Sequence, residues 1–152
     1  MQSKVVAVPK STTTTAPSGD SGALPDLGGQ KITIAIENAY LPFNYIDTQT
    51  NKGAGWDYSA IDEMCVRLNC TPDFDGMIVA VSDGQYDMAA DGITITPDRA
   101  KVVDFSDGYI NIDQRMLVRV DESRFTSADE LAANPDLRIG SQVGTTNYDT
   151  AV

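Results

Sequence analysis

The alternation of strand-like and helix-like segments between Lys31 and Ala90 is the feature that most restricts how this chain can fold. β-branched runs predict strands, and apolar residues at helical spacing predict helices. Strands that alternate with helices lie parallel in one sheet and are joined by right-handed crossovers. The pattern therefore predicts a parallel α/β sheet. The predicted segments, in chain order, are strand 31–37, helix 57–69 opened by Asp57, strand 70–74, helix 76–82 and strand 86–90.

The segments on either side of this region differ from it in composition. Residues 1–30 are dominated by Ser, Thr, Gly and Pro after a brief apolar patch, which is the composition of a flexible linker. After the region we expect a fourth strand at 114–120, a short helix opened by Ser127, and a fifth strand at 137–144 that leads into a Gly-rich turn.

The charge balance and the absence of histidine exclude several classes of function. Lys and Arg number 11 and Asp and Glu number 22, and the net charge of −11 opposes binding to nucleic acid or anionic lipid. Without histidine, a Ser-His-Asp triad, a His-ligated zinc and a histidine proton shuttle are excluded. The longest apolar runs fall far short of the roughly 20 residues that span a bilayer. We expect a soluble chain with no metal and no cofactor.

Cys65 and Cys70 are the only two cysteines. They are too few for a zinc site, and their spacing is not that of a CxxC motif. Two small buried thiols are the favoured interpretation. A disulfide is the alternative if Cys70 lies just past the end of the predicted helix.

The loops at the carboxyl ends of the predicted strands are the expected ligand-binding regions, because ligands of open parallel sheets bind there. Four such loops can be named from the sequence: residues 37–40, residues 75–76 (Asp75 and Gly76), residues 91–96 and residues 142–147.

Arg99 follows the third of these loops in an unusual position. Thr96 and Pro97 are typical of a helix N-cap and first turn, which places the Arg99 cation at the positive end of a helix dipole. A bound anion would be favoured there, and Gly92 and Thr94 add a close backbone approach and a hydroxyl. The sequence thus predicts an anion site whose guanidinium matches a carboxylate. The alternative is a local ion pair with Asp98, Asp104 or Asp107.

Four segments resemble successive blocks of one known family. They are "AYLPFNY", "GWDYSAIDEMCVRLNC", "DGQYDMAADGITITPDRAKVVDFSDGY" and "IGSQVGTTNYDTA". The family is that of the polar amino-acid solute-binding proteins of bacterial ABC importers, and the resemblance runs from about Lys31 to Val152. Its most specific motif, G-[IML]-[ST]-[IV]-[ST]-x-x-R followed by DFS, matches residues 92–99 and 104–106, whereas "GTT" is weak by itself.

The resemblance implies a type II periplasmic-binding-protein-like α/β fold, a two-lobed venus flytrap that closes on one free amino acid. It implies that Arg99 pairs with the ligand α-carboxylate, assisted by Gly92 and Thr94. It also implies that Tyr40 and Trp56 flank the ligand side chain.

The second lobe is expected to add two contacts by the same resemblance, with Thr146 on the carboxylate and Gln142 lining the cleft. Both aromatic residues have an alternative role, since Tyr40 could cover the sheet edge and Trp56 could pack under the following helix. Phe43 is expected to anchor its loop in the core and is left out of the site.

Glu37 and Asp91 follow adjacent strands, where two carboxylates repel each other unless a cation or a proton lies between them. Members of the family often carry an acid at the position of Glu37, and small residues are common at the position of Asp91. We therefore expect a polar or basic amino acid as the ligand. For Asp91, ligand contact and a solvated acid are equally weighted alternatives.

The resemblance also implies an organisation and a role for the chain. Residues 31–113 would form lobe 1, and residues 114–152 would form the crossover and only the start of lobe 2. The junction of Phe74 and Asp75 is shorter than in the family.

The expected role is non-enzymatic capture of an amino acid in the periplasm or outside the cell for an ABC permease. In one alternative for the location, residues 1–30 tether the chain to the membrane as a lipoprotein. A periplasmic dehydratase resembling cyclohexadienyl dehydratase and the sensor domain of a signalling receptor are the alternatives.

Overall fold

The computed structural model describes residues 2–9, 23–74 and 81–152. The chain divides into two compact units, Gln2–Ile112 and Asp113–Val152. None of the helices in the described part of the chain has the length and apolar character needed to cross a bilayer.

The first unit is built on a six-stranded sheet in the order β6-β2-β7-β1-β8, with β9 also paired to β1. Five of the six strands run in the same direction, and β1 runs in the opposite direction. β2 pairs in parallel with β6 and β7, and β1 is antiparallel to each of its three neighbours. The fold class expected from the sequence is confirmed. The strands of this sheet are β1 (Gln2–Pro9), β2 (Gln30–Ala35), β6 (Cys70–Phe74), β7 (Met88–Thr94), β8 (Val103–Phe105) and β9 (Ile110–Ile112).

A second, three-stranded antiparallel sheet follows β2 and was not predicted. It consists of β3 (Ala39–Tyr40), β4 (Asn44–Asp47) and β5 (Lys52–Ala54). β4 and β5 are joined by a turn in which Asp47 accepts hydrogen bonds from the Gln49 amide and the Thr50 hydroxyl at 2.8 and 2.9 Å. Strands of 2, 4 and 3 residues are too short to show an alternating pattern in the sequence. Cross-strand pairing supplies most of their stability.

Helix α1 (Trp56–Leu68) packs on the main sheet and buries Ile61 and Cys65. Its end was predicted correctly, since Asn69 adopts the left-handed conformation that closes many helices. Its start was predicted wrongly: the N-cap is Gly55, and Asp57 lies inside the first helical turn. The reason is that the Asp57 side chain is buried against a residue of β4 rather than turned back onto the helix N-terminus.

Cys65 and Cys70 form a disulfide, so the favoured interpretation of two thiols was wrong. Cys65 lies in the last turns of α1 and Cys70 opens β6, with their Cα atoms 4.5 Å apart. The left-handed Asn69 between them reverses the chain within one residue, which brings the two side chains together.

The expectation of a flexible linker over residues 1–30 fails for Gln2–Pro9, because β1 lies inside the main sheet between β7 and β8. The brief apolar patch contains the β-branched residues Val5, Val6 and Val8, which favour a strand. Ala7 is buried in the core beside Ala35 and Ala89. The predicted helix at 76–82 lies outside the described residues except for Val81 and Ser82, which are in a turn.

The second unit contains two short helices, α2 (Ala128–Ala132) and α3 (Thr146–Ala151). The cap of α2 was predicted correctly, since the Ser127 hydroxyl accepts a hydrogen bond from the Glu130 amide at 3.2 Å. The strands expected at 114–120 and 137–144 are absent from this unit, whose described residues include no strand. Their apolar residues are largely exposed, and a strand without a pairing partner has little stability in water.

Candidate functional site

Arg99 is held at the carboxyl end of β7 by a backbone contact. Its Nη1 donates a hydrogen bond to the Thr94 carbonyl at 3.0 Å, and the Thr94 side chain is buried. Gly92, two residues earlier, has a φ of 52°, which an L side chain adopts only with strain. The three residues predicted to form the carboxylate site are therefore arranged along one strand end, with a half-buried guanidinium beside them.

The helix expected after Thr96 is only one 3₁₀ turn, Arg99–Lys101. The capping contact itself is present, because the Thr96 hydroxyl accepts a hydrogen bond from the Arg99 amide at 3.3 Å. β8 begins at Val103, two residues past this turn, so the chain extends instead of continuing as a helix. A single turn has no appreciable macrodipole. The dipole argument for an anion therefore fails, and any attraction for an anion comes from the guanidinium.

Asp98, one of the three acids considered as ion-pair partners of Arg99, lies next to the ammonium group of Lys101. Asp98 Oδ1 lies 2.6 Å from Lys101 Nζ, and both side chains are largely exposed.

A buried polar cluster lies next to this strand end and consists of Asn44, Asp57 and Asp91, whose exposed fractions are 0%, 1% and 8%. Asn44 Nδ2 donates to Asp57 Oδ2 at 2.8 Å, and the Asn44 side chain also hydrogen-bonds Asp91. We call these three residues the Asn44 cluster. Of the three, only Asp91 was predicted from the sequence to belong to the site.

Burial raises the pKa of Asp91 to about 6, since a carboxylate loses its hydration inside the protein. The hydrogen bonds from Asn44 and from the backbone amide of Glu37 act in the opposite direction, and the charges of Glu37 and Asp57 raise the pKa further. The structure thus brings Glu37 and Asp91 together, as expected for two acids at adjacent strand ends. Because Asp91 is buried, the alternative of a solvated acid is wrong.

A series of aromatic rings borders the acids. The Tyr40 and Phe43 ring centroids are 5.0 Å apart, Phe43 meets the edge of Trp56 at 6.4 Å, and Trp56 stacks on Tyr109 at 4.8 Å. Burial raises the pKa of Tyr109, with smaller contributions from the charges of Asp57 and Asp91. Trp56 is 49% exposed, so it does not pack under the following helix as the alternative proposed.

A cavity of about 440 Å³ lies along α1, and Trp56, Asp57, Met64 and Tyr109 are among its lining residues. This volume is within the range of small-molecule pockets. Arg99 is not among the lining residues, so the cavity and the guanidinium are separate features of the first unit.

Gln142 and Thr146 belong to the second unit. Thr146 opens α3, and its hydroxyl accepts a hydrogen bond from Gln114 Nε2 at 3.1 Å. The Gln142 carbonyl accepts one from the Thr145 hydroxyl at 2.6 Å. The turn between them includes Gly144 with a φ of 82°. The predicted loop of Asp75 and Gly76 lies outside the described residues.

Three residues of the site region were not predicted from the sequence as site residues: Asn44, Asp57 and Tyr109. Asp57 was noticed only as a helix cap, and Asn44 lies in a strand that was not predicted. Tyr109 ends the segment "DFSDGY", and an aromatic residue just after a short strand was the only signal available for it.

Comparison with known proteins finds one matching family model, bacterial extracellular solute-binding proteins, family 3, over residues 32–147. The L-cystine-binding protein TcyA of Bacillus subtilis (strain 168) is 29% identical over 122 residues, which are 77% of this chain and 44% of TcyA. The chain thus spans less than half the length of this relative.

Two solved structures are similar in fold. An ancestral arginine-binding protein bound to arginine matches with a TM-score of 0.73 at 26% identity, over 82% of this chain and 55% of that one. The ancestral amino acid-binding protein AncCDT-1, a precursor of cyclohexadienyl dehydratase, matches with a TM-score of 0.74 at 30% identity, over 80% of this chain and 55% of that one.

Proposed function

Because this chain belongs to the bacterial extracellular solute-binding proteins, family 3, we propose that it captures a free amino acid outside the cytoplasm for an ABC importer. The observation that carries the proposal is the Arg99 guanidinium, fixed at the end of β7 by the Thr94 carbonyl and next to the left-handed Gly92. A guanidinium positioned in this way offers a planar pair of donors to a carboxylate. The Gly92 amide and the Thr94 hydroxyl would complete the carboxylate site.

A polar or basic amino acid is the ligand class that the first unit favours. Glu37 and Asp91 place two acids beside the carboxylate site, and Tyr40 and Trp56 provide ring faces for a ligand side chain. The amino acids named for similar proteins, cystine and arginine, carry polar or charged side chains. For Gln142 and Thr146, which belong to the second unit, ligand contact stays a prediction from the family resemblance.

Delivery to a membrane permease and a periplasmic or extracellular location complete the proposal. Both are properties expected of the family. Specificity would come from pairing the charges of the ligand with buried groups, and no covalent step is required.

Calorimetric titration of this chain with each of the twenty amino acids tests the proposal. Saturable binding of a polar or basic member is expected, and Arg99→Ala should weaken it by at least about 30-fold, since a charged hydrogen-bonding partner contributes roughly 2 kcal/mol. Lys31→Ala is the control, because it also removes one positive charge and Lys31 forms an exposed ion pair with Asp73 on the main sheet. Selective binding of acidic amino acids, or equal affinity in Arg99→Ala, would contradict the proposal.

An enzymatic role is the second candidate, and the raised pKa of Asp91 favours it. A buried carboxyl with a pKa of about 6 near an anion site is suited to proton transfer, as in a dehydratase acting on cyclic carboxylates. Incubation with prephenate separates the two roles. Product that forms with the wild type and not with Asp91→Asn would support the enzyme, whereas reversible amino-acid binding without product supports the binding protein.

A further inference from the structure

One half of β7, residues 90–94, depends on β1 for its pairing in the main sheet. β2 pairs with β7 at Met88 and Ala89, so it does not extend to this half. Among the described strands, β1 is the one that pairs with residues 90–94. The register pairs are Val6 with Ala90, Val5 with Ile93 and Lys4 with Thr94. The main-chain path of this half of β7 is therefore tied to β1.

The pairing of β1 with β7 contains a bulge at Asp91 and Gly92. Val5 and Val6 are consecutive in β1, whereas their register partners in β7 have these two residues between them. A bulge bends its strand and re-aims the side chains of the extra residues, and bulges are over-represented next to functional sites. The left-handed φ of 52° at Gly92 belongs to this bulge. The paired stretches on its two sides, both formed with β1, hold the bulge in place.

The proposed carboxylate site continues directly from this bulge. Gly92 lies in the bulge, and Thr94 is the register partner of Lys4 in β1. The Thr94 carbonyl in turn accepts the hydrogen bond from Arg99 Nη1 at 3.0 Å. The position of the guanidinium thus depends on β1 through one stretch of main-chain pairing and one hydrogen bond.

β1 is held in the sheet by its pairing and not by its connection to β2. The two strands are two places apart in the sheet, which is about 10 Å, whereas residues 10–29 between them are long enough to span more than about 60 Å when extended. A connection with so much spare length does not fix the position of a strand. Docking of β1 is therefore a local equilibrium, and any group that fixes its partner β7 contributes to it.

We propose that β1 is the positioning element of the ligand site: its pairing with β7 forms the bulge at Asp91 and Gly92, and ligand binding and β1 docking stabilise each other. This inference rests on the proposed function, because it takes Gly92, Thr94 and Arg99 as the carboxylate site. The coupling is reciprocal. A ligand that fixes the bulge strengthens the docking of β1, and a change in β1 that weakens its pairing weakens ligand binding.

Val5→Pro tests the inference beside the bulge. β1 has partner strands on both of its edges, and a proline inside such a strand removes an amide donor and does not fit the ladder. Calorimetric titration of the wild type and the variant with each of the twenty amino acids measures the effect. For every amino acid that the wild type binds, Val5→Pro should weaken binding at least about fivefold.

Two further variants separate the pairing of β1 from other effects of the substitution. Val5→Ala keeps the amide and should bind as the wild type does, because the bulge depends on main-chain pairing. Thr71→Pro is the matched control, since it places a proline in β6, a strand of the same sheet that pairs with β2 and not with β7. Its folded fraction should bind as the wild type does.

Hydrogen exchange distinguishes positioning from a general loss of stability. In the wild type, a saturating mixture of the twenty amino acids should slow exchange of the β1 amides at least about fivefold and leave the β6 amides unchanged. In Arg99→Ala, the same mixture should leave the β1 amides unchanged. A strand with only a structural role would exchange at the same rate with and without amino acid.

The outcomes separate this inference from the function on which it rests. If Val5→Pro binds as tightly as the wild type, or if a bound amino acid leaves exchange in β1 unchanged, the inference is overturned while Arg99-dependent binding leaves the function intact. If the wild type is folded by circular dichroism and binds none of the twenty amino acids, both proposals are overturned. If Val5→Pro is unfolded, hydrogen exchange of the wild type decides, because it requires no change in β1.

Discussion

Trp56 and Tyr109 stack with their ring centroids 4.8 Å apart and their planes inclined by 26°. Trp56 begins α1 and Tyr109 lies between β8 and β9, so this contact joins two distant parts of the first unit beside the Asn44 cluster. Trp56 is also the only tryptophan of the chain. Its fluorescence therefore reports on the candidate site alone.

We predict that a bound amino acid changes the emission of Trp56 in a saturable way. Tyr109→Leu should expose the Trp56 ring further, shift its emission to longer wavelength and weaken ligand binding several-fold, because stacked aromatic pairs contribute roughly 0.5–1.5 kcal/mol. Fluorescence titration measures both effects. Tyr45→Leu on β4 is the control, since Tyr45 is not part of this series of rings, and an equal shift in both variants would contradict the prediction.

Gly55→Ala is expected to destabilise the start of α1. Gly55 has a φ of 122° and a ψ of −178°, a region that only glycine adopts readily, and a Cβ there would overlap the Phe43 carbonyl oxygen. The loss should be at least about 2 kcal/mol. Gly84→Ala is the matched control: its φ is 71°, yet a Cβ would meet nothing within 4 Å, so it should lose only about 1 kcal/mol. Equal midpoints in urea unfolding of the two variants would show that the overlap is unimportant.

Reduction of the Cys65–Cys70 disulfide should lower the free energy of unfolding by about 2 kcal/mol, the value expected for closing a short loop. The bridge ties the last turns of α1 to β6, the parallel neighbour of β2. Urea unfolding with and without reductant measures the loss. The double variant Cys65→Ala, Cys70→Ala should not respond to reductant, and a wild type that is equally insensitive would contradict the prediction.

The sequence was sufficient where a feature depends on neighbouring residues. β6 was predicted with its exact bounds, the left-handed Asn69 ended α1 as expected, and Ser127 caps α2. The family was also identified correctly, because the motif around Arg99 is compact and specific. The roles of Arg99 and the other predicted contacts stay predictions, which the experiments above address.

The sequence was insufficient where distant residues decide the structure. Asn44 and Asp57 are buried together across 13 positions, and nothing local distinguishes Asp57 from an ordinary helix cap. In the same way, β1 is a strand because β7 and β8 pair with it. Residues 114–120 have no strand to pair with among the described residues of their unit. Strand formation depends more on partners than on intrinsic propensity.

The stability of the chain should decrease as the pH rises through the titration of Asp91. The pKa of Asp91 is 3.8 when unfolded and about 6 when folded, so between these values the folded state binds more protons and stability falls with increasing pH. A shift of about two units corresponds to about 3 kcal/mol. This contribution is fully present below pH 4 and is lost above about pH 6.

Asp91→Asn isolates this effect from the other titrating groups around Asp91, which are Glu37, Asp57, Tyr40 and Tyr109. The variant should have a higher free energy of unfolding than the wild type at pH 7.5. This difference should shrink by about 3 kcal/mol on moving to pH 3.5, because Asp91 becomes protonated in the wild type, whereas the asparagine of the variant does not titrate. Urea unfolding at several pH values measures the difference. A difference independent of pH would mean that the Asp91 carboxylate is already compensated in the free chain, which would remove the electrostatic reason for it to bind a cation.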